Sequence, residues 1–210
     1  MTQNIATDED KLVALASIAA ELHAVMEVAY GVSLAAKNAK VISAQAGDKG
    51  LGFQPITDFI DEISQLAING VNHINENALT LSKIAVHEQR SYDAYQRFSS
   101  VISKNKKAKY VASLDPAMLR VETHMIDSFK DFKKSMNDLF LLLEEMNEHM
   151  LSARAIASVS RIVTSDAQEF RNKLEVVASN LDNAAVFIKD KVSDSYKHLN
   201  RVKTLTREHA

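Results

Sequence analysis

Apolar side chains recur along this chain at alternating steps of three and four residues, and this spacing limits the possible folds more than any other feature. The first run extends unbroken through ten positions: Leu15, Ile18, Leu22, Val25, Ala29, Val32, Ala36, Ala39, Ser43 and Ala46. Residues three and four apart share one face of a helix, and a stripe kept up over many turns is typical of coiled coils. Three similar runs follow, so the sequence predicts four long helices.

The later runs define the remaining seams. The second is predicted at Phe53, Ile56, Ile60, Ile63, Ala67, Gly70, Ile74, Asn77, Leu81 and Ile84, and then at Tyr95, Phe98 and Ile102. The third is predicted at Met118, Val121, Met125, Ser128, Phe132, Ser135, Leu139, Leu142, Met146, His149, Ala153, Ile156, Ser160 and Val163. The fourth is predicted at Phe170, Leu174, Val177, Leu181, Ala184, Ile188, Val192, Tyr196, Leu199 and Val202.

Composition supports helices and excludes several kinds of site. Five Gly and two Pro in 210 residues are too few for the turns of a β-rich fold. The chain has no Cys, which excludes disulfides, thiolate metal sites and cysteine nucleophiles. A net charge of −2 gives no general attraction to nucleic acid. No uninterrupted apolar run approaches the ~20 residues of a membrane span. We therefore expect a cytoplasmic protein with no nucleic-acid binding and no membrane insertion.

Breaks in the pattern divide the chain into segments. We expect a disordered N-terminus at 1–8, a helical hairpin at 9–103 with its tip at 47–52, a basic connector at 104–115, and a second hairpin at 116–207 with its turn near 164–166. Either hairpin alone would leave an apolar stripe exposed, so the two should pack together as one unit. The predicted fold is all-α: an elongated antiparallel four-helix bundle or coiled coil made of two tandem helical hairpins.

The first turn carries a recognisable motif. Residues 44–53 read Ala-Gln-Ala-Gly-Asp-Lys-Gly-Leu-Gly-Phe, in which Gly47, Gly50 and Gly52 can supply the backbone angles that a reversal needs. This stretch resembles the hairpin tip of the methyl-accepting chemotaxis proteins, the bacterial chemoreceptors, whose tip usually reads A-R-A-G-E-Q-G-R-G-F. The resemblance covers about residues 28–68, roughly a fifth of the chain.

The resemblance implies a function and a set of partners. Chemoreceptors signal through protein contacts around this tip, with the chemotaxis coupling protein, the histidine kinase and other receptor hairpins. Carried over to this chain, the partner-binding residues are Asn38, Val41, Ile42, Gln45, Asp48, Leu51, Phe53 and Phe59. Leu51 and Phe53 would be the apolar anchors of such a contact. A homo-oligomer is a further expectation, because receptors pair one hairpin with another.

Several charged residues of the family pattern are replaced here. Ile42 and Gln45 stand where the family has a Glu and an Arg before the tip, and Leu51 replaces the Arg inside it. On the returning arm, Phe59 and Asp61 replace a Glu and an Arg. The pattern therefore predicts that the shape of the tip is kept while its charged contacts are changed.

Two alternatives remain open. Asp61 and Gln65 lie four residues apart, so a helix places both on one face. This arrangement resembles that of the chemotaxis phosphatase, in which a Gln orients water for attack on the aspartyl-phosphate of a response regulator and an Asp contacts Mg²⁺. The other alternative is a purely structural helical bundle. No Glu-x-x-His pair occurs, so we expect no metal, no cofactor and, apart from the phosphatase alternative, no enzymatic activity.

Overall fold

The computed structural model describes residues 2–47, 52–105, 107, 109–164 and 171–207, with side chains at 10–47, 52–105, 107, 109–163 and 171–205. Nearly all of it is helical: α1 spans Thr2–Gln45, α2 Gln54–Lys104, α3 Asp115–Thr164 and α4 Arg171–Arg207, with a 3₁₀ turn at Val111–Leu114 before α3. No described residue lies in a β-strand. The predicted all-α fold is therefore confirmed.

The helix boundaries follow local chemistry. Pro55 lies in the first turn of α2, where its missing N–H would have no helical partner anyway. Pro116 also lies in the first turn of its helix, directly after Asp115, at which α3 begins. At the start of the chain the prediction was wrong, because α1 begins at Thr2 although residues 1–8 were expected to be disordered. That segment contains neither Gly nor Pro to interrupt a helix.

Each helix packs against two neighbours, in the order α1, α2, α3, α4 and back to α1. Neighbours run antiparallel: along α1 and α2, Lys40 donates a hydrogen bond to Asp58, whereas Ser33, two turns earlier, accepts one from Gln65. The result is an up-down-up-down bundle of two hairpins side by side. At 1.5 Å per residue, the 51 residues of α2 extend over about 76 Å, so the bundle is elongated.

The first predicted seam is buried, but on α1, α2 and α4 the buried stripe is wider than a heptad seam. From Leu15 to Ala39 every predicted seam residue of α1 is at most 7% exposed. On α2 a second line of residues is also buried: Thr57, Ser64, Val71, Ala78 and Ala85. Because each helix contacts two neighbours rather than one, positions beside the seam are covered as well.

On α3 the buried residues also form a heptad seam, but several of them lie one position after the predicted ones. Leu143, Met150 and Ala157 are buried, while the predicted seam residues one position earlier are only half-buried: Leu142, His149 and Ile156. The seam positions that the two patterns share, such as Leu139 and Ala153, are buried as predicted.

Ion pairs and one close approach fix neighbouring helices in register. Lys191 on α4 lies 2.6 Å from Glu21 on α1, and Arg201 lies 3.0 Å from Asp10. Between α2 and α3, a Cβ atom added to Gly70 would come within 2.5 Å of the Met146 methyl carbon. Gly70 therefore allows the Met146 side chain to lie directly against the backbone of α2.

Packing is uneven along the bundle. Among the described side chains, α2 has no buried residue after Ala85 and α3 has none before Phe132. The seam residues predicted in these parts are only half-buried: Tyr95, Phe98, Ile102, Met118, Val121, Met125 and Ser128. The tightly packed part is thus the part nearer the two hairpin turns. We call the end of the bundle with these turns the tip end.

Candidate docking surface at the tip end

Both hairpin turns lie at the same end of the bundle. α1 ends at Gln45 and α2 begins at Gln54, while α3 ends at Thr164 and α4 begins at Arg171. A Cβ atom added to Gly52, in the first turn, would lie 3.4 Å from Cγ1 of Val163, near the end of α3. Of the predicted second turn near 164–166, Thr164 is the last residue of α3, and residues 165 and 166 lie outside the described residues.

The turn glycines differ in what they do. Gly47 has a φ of +56°, a left-handed conformation that side chains resist, so its predicted role in the reversal is confirmed. Gly52 has no such φ; its small size instead permits the approach to Val163. Gly50 lies outside the described residues.

Most of the described tip residues that the resemblance implied are accessible. Asn38, Val41 and Gln45 are exposed on the last turns of α1, and Ile42 between them is half-buried against the core. Phe59 on α2 is 52% exposed, which is high for an aromatic side chain. Asp48 and Leu51 lie outside the described residues, so the predicted Leu51 anchor is not described.

The prediction that Phe53 is an accessible anchor is wrong. Its side chain is 2% exposed and belongs to the hydrophobic core. The physical reason is the convergence of four helix ends at the tip: a ring at the start of α2 points between them and fills the end of the core. Phe53 therefore holds the tip together from inside and has no surface to offer a partner in this structure.

The second hairpin contributes exposed apolar residues that the sequence reading missed. Val159 and Ile162 on the last turns of α3 are 51% and 72% exposed, and Val176 on the second turn of α4 is 58% exposed. With Val41 and Phe59, every helix presents a large apolar side chain within about six residues, or ~9 Å, of its end at the tip. These five residues form what we call the tip ring. The sequence signal that could have identified them is an apolar residue near a helix end that does not lie on the predicted buried seam.

Charged groups near the tip ring are paired across helices. Lys40 and Asp58 form a 2.6 Å ion pair between α1 and α2, and the hydrogen bond to Asp58 raises the pKa of Lys40. Between α3 and α4, Arg161 contacts both Glu175 and Asp182, and Arg154 also reaches Asp182. The hydrogen bond from Arg161 is the main reason that the pKa of Asp182 lies below its ordinary value. Other charged residues at this end are exposed, among them Arg171 and Lys173 at the start of α4.

Asp61 and Gln65 share one face of α2, as their spacing predicts, and this face is turned towards α1. The Ser33 hydroxyl donates a 2.7 Å hydrogen bond to Oδ1 of Asp61. It accepts a longer, 3.4 Å bond from Nε2 of Gln65. Ser33, which the sequence reading did not single out, thus links both residues of the phosphatase alternative to the α1–α2 interface. Gln65 is exposed and Asp61 is half-buried, so the Gln65 amide has the greater access to a phosphoryl group outside the bundle.

The described residues contain no group of three or more His, Asp or Glu side chains arranged to hold a metal ion. The His149–Glu145 pair, 3.7 Å apart on α3, is a single pair. An open groove of about 520 Å³ lies far from the tip ring, at the opposite end of the bundle, where Arg90, Arg97, Phe98 and Leu114 line part of it.

One described helix is long and apolar enough to cross a membrane by length and composition. The segment is Asp10–Gln45 of α1, and 33% of its most apolar window is buried in the bundle. Core helices of globular proteins meet the same criterion, so the absence of membrane insertion stays a prediction. Comparisons with protein-family models, curated proteins and solved structures find no match to this chain.

Proposed function

We propose that this chain is a cytoplasmic signalling or scaffold protein that binds a protein partner at its tip end. The observation that carries the proposal is the tip ring: all four helices expose large apolar side chains at the end where both turns meet. A partner that covers this end would remove these side chains from water, which favours binding. Paired charges around the ring reduce the desolvation cost of covering it.

The resemblance to chemoreceptors narrows the class of partner. Receptor dimers place two hairpins side by side with their tips together, and this single chain carries two hairpins in that arrangement. We therefore propose a chemotaxis coupling protein, a histidine kinase or a receptor hairpin as the partner. The replaced charges at Ile42, Gln45 and Phe59 favour a contact more apolar than the receptor contact.

Binding of the purified chain to each of these three proteins tests the proposal. Val41→Asp and Phe59→Asp should each weaken binding at least tenfold, since a buried charge without a partner is costly. Leu79→Asp is the matched control, because Leu79 is 57% exposed, like Val41, but lies far along α2 from the tip. Equal binding by all variants would refute docking at the tip ring.

A phosphatase or other regulator of a phosphorylated response regulator is the second candidate, supported by the shared face of Asp61 and Gln65. Decay of a phosphorylated response regulator would be timed with and without the chain. Acceleration that is lost in Gln65→Ala and kept in Gln96→Ala, an exposed Gln elsewhere on α2, would establish this activity. If neither docking nor phosphatase activity is found, the third candidate, a structural bundle, is favoured.

A further inference from the structure

A second heptad stripe runs along the outside of α1, opposite its buried seam. From Ala20 it again alternates steps of three and four, through His23, Glu27, Tyr30, Leu34, Lys37 and Val41. All seven residues are exposed and four of them are apolar; Tyr30 and Leu34 are 57% and 62% exposed. We call this stripe the outer seam. A polar outer face is normal for a bundle helix, whereas apolar residues at heptad spacing are typical of a face that meets another helix.

Gly31, beside the centre of the outer seam, gives an independent indication of a partner. A glycine inside a helix costs stability relative to alanine, so it normally has a local reason. Here a Cβ atom would meet nothing within 4 Å, and Gly31 has no left-handed φ. Nothing in the described part of this chain needs the space. The space is useful to a second helix that approaches α1 from outside.

The charges on the outer seam indicate which helix that is. Glu27 lies one turn before Tyr30, and Lys37 lies one turn after Leu34. Neither forms an ion pair with any described residue of its own chain. A two-fold axis at residue 32 that reverses a second copy of α1 brings Tyr30 beside Leu34 of the other copy. It also brings Glu27 within reach of Lys37, twice. A parallel contact would instead set Glu27 against Glu27 and Lys37 against Lys37.

We propose that the chain forms a symmetric homodimer through the outer seams of two antiparallel α1 helices. The contact is isologous, with the same residues on both sides. Tyr30, Gly31 and Leu34 form its apolar centre, and the Glu27–Lys37 pairs flank it and set the direction. His23 is the remaining polar residue of the seam, and it faces the Val41 end of the other copy. The centre lies about 20 Å along α1 from Gln45, so the apolar centre of this contact is separate from the turns at the tip end, and Val41 alone belongs to both the outer seam and the tip ring.

Two variants test the apolar centre in the full-length chain. Mass by light scattering over a concentration series should give two chains for the wild type. Leu34→Asp should give one chain with unchanged helicity, because Leu34 is outside the core. Gly31→Leu should also give one chain, yet melt at a higher temperature when dilute, since the internal space is open and leucine favours a helix. Leu151→Asp, at a 51% exposed Leu on α3, the helix diagonal to α1, should remain dimeric.

Charge reversal tests the direction of the contact. Glu27→Lys and Lys37→Glu should each raise the dissociation constant several-fold, and the double variant should return it close to the wild-type value. A wild type that stays monomeric at high concentration would overturn the proposal, as would a dimer that survives Leu34→Asp. No rescue in the double variant would overturn the antiparallel arrangement.

Flotation with phosphatidylglycerol vesicles tests a membrane surface as the other occupant. If the wild type is monomeric and binds the vesicles, and Leu34→Asp does not bind them, the outer seam is a membrane-binding surface and the dimer proposal is overturned.

Discussion

At the scale of single residues, adding a side chain at Gly47, in the first turn, and at Gly31, in α1, should change stability in opposite directions. Gly47 has a φ of +56°, and Gly31 has an ordinary helical backbone with open space around it. Gly47→Ala should lower the free energy of unfolding by about 1–2 kcal/mol, because a Cβ is strained in the left-handed region. Gly31→Ala should raise it by about 0.5–1 kcal/mol. Urea denaturation, at a protein concentration low enough to keep the chain monomeric, measures both changes. Equal changes in the free energy of unfolding would contradict the backbone conformations assigned to the two glycines.

Asp182 predicts a dependence of stability on pH. Its pKa is lower in the folded chain than its ordinary value of 3.8, so the unfolded chain takes up the proton first as the pH falls. The stabilisation is complete at neutral pH, declines from about pH 4–5 and is lost as the pH falls through the folded pKa.

The corresponding variant is Asp182→Asn. It should lower the free energy of unfolding at pH 7 by at most about 1 kcal/mol, because the side chain is partly solvated. By about pH 2 the difference from the wild type should shrink, since both chains then lack the charge. Asp131→Asn is the control, as Asp131 is exposed and has no ion pair among the described residues. A difference that stays constant with pH would contradict the Arg161–Asp182 interaction.

At the scale of helices, truncating two adjacent residues of α2 should lower the free energy of unfolding by very different amounts. Ile60 is fully buried and Phe59 is 52% exposed. Ile60→Ala should lower the free energy of unfolding by about 2–5 kcal/mol through the cavity it leaves. Phe59→Ala should change it by less than about 1 kcal/mol. Chemical denaturation of both variants gives the comparison, and similar losses would mean that the face of α2 is wrongly assigned.

Helix existence and the α1 seam were predictable because local spacing determines them. The shift on α3 from His149 to Met150 was not, because it depends on where α2 and α4 lie relative to α3. The burial of Phe53 and the role of Ser33 have the same origin, since both depend on residues far away in the sequence. The turn motif predicted the position of the tip, and it gave no information about Val159, Ile162 or Val176 on the other hairpin.

At the scale of the whole molecule, packing is concentrated towards the tip end. Away from the tip end, α2 has no buried described residue beyond Ala85 and α3 has none before Phe132. Native-state hydrogen exchange should therefore show the amides of α2 around Ile60 and Ile74 exchanging far more slowly than those around Phe98. The reverse order would contradict the described distribution of the core.

The proposed function depends on the tip ring as a docking surface. The most direct measurement is photo-crosslinking in the native cell, with a photoreactive residue placed singly at Val41, Phe59 or Ile162, and at Leu79 and Leu119 as exposed positions away from the tip. If the tip ring binds the partner, one and the same protein is captured from all three tip positions, on both hairpins, and from neither control position. Capture of that protein equally from Leu79 and Leu119, or from those positions alone, would contradict it.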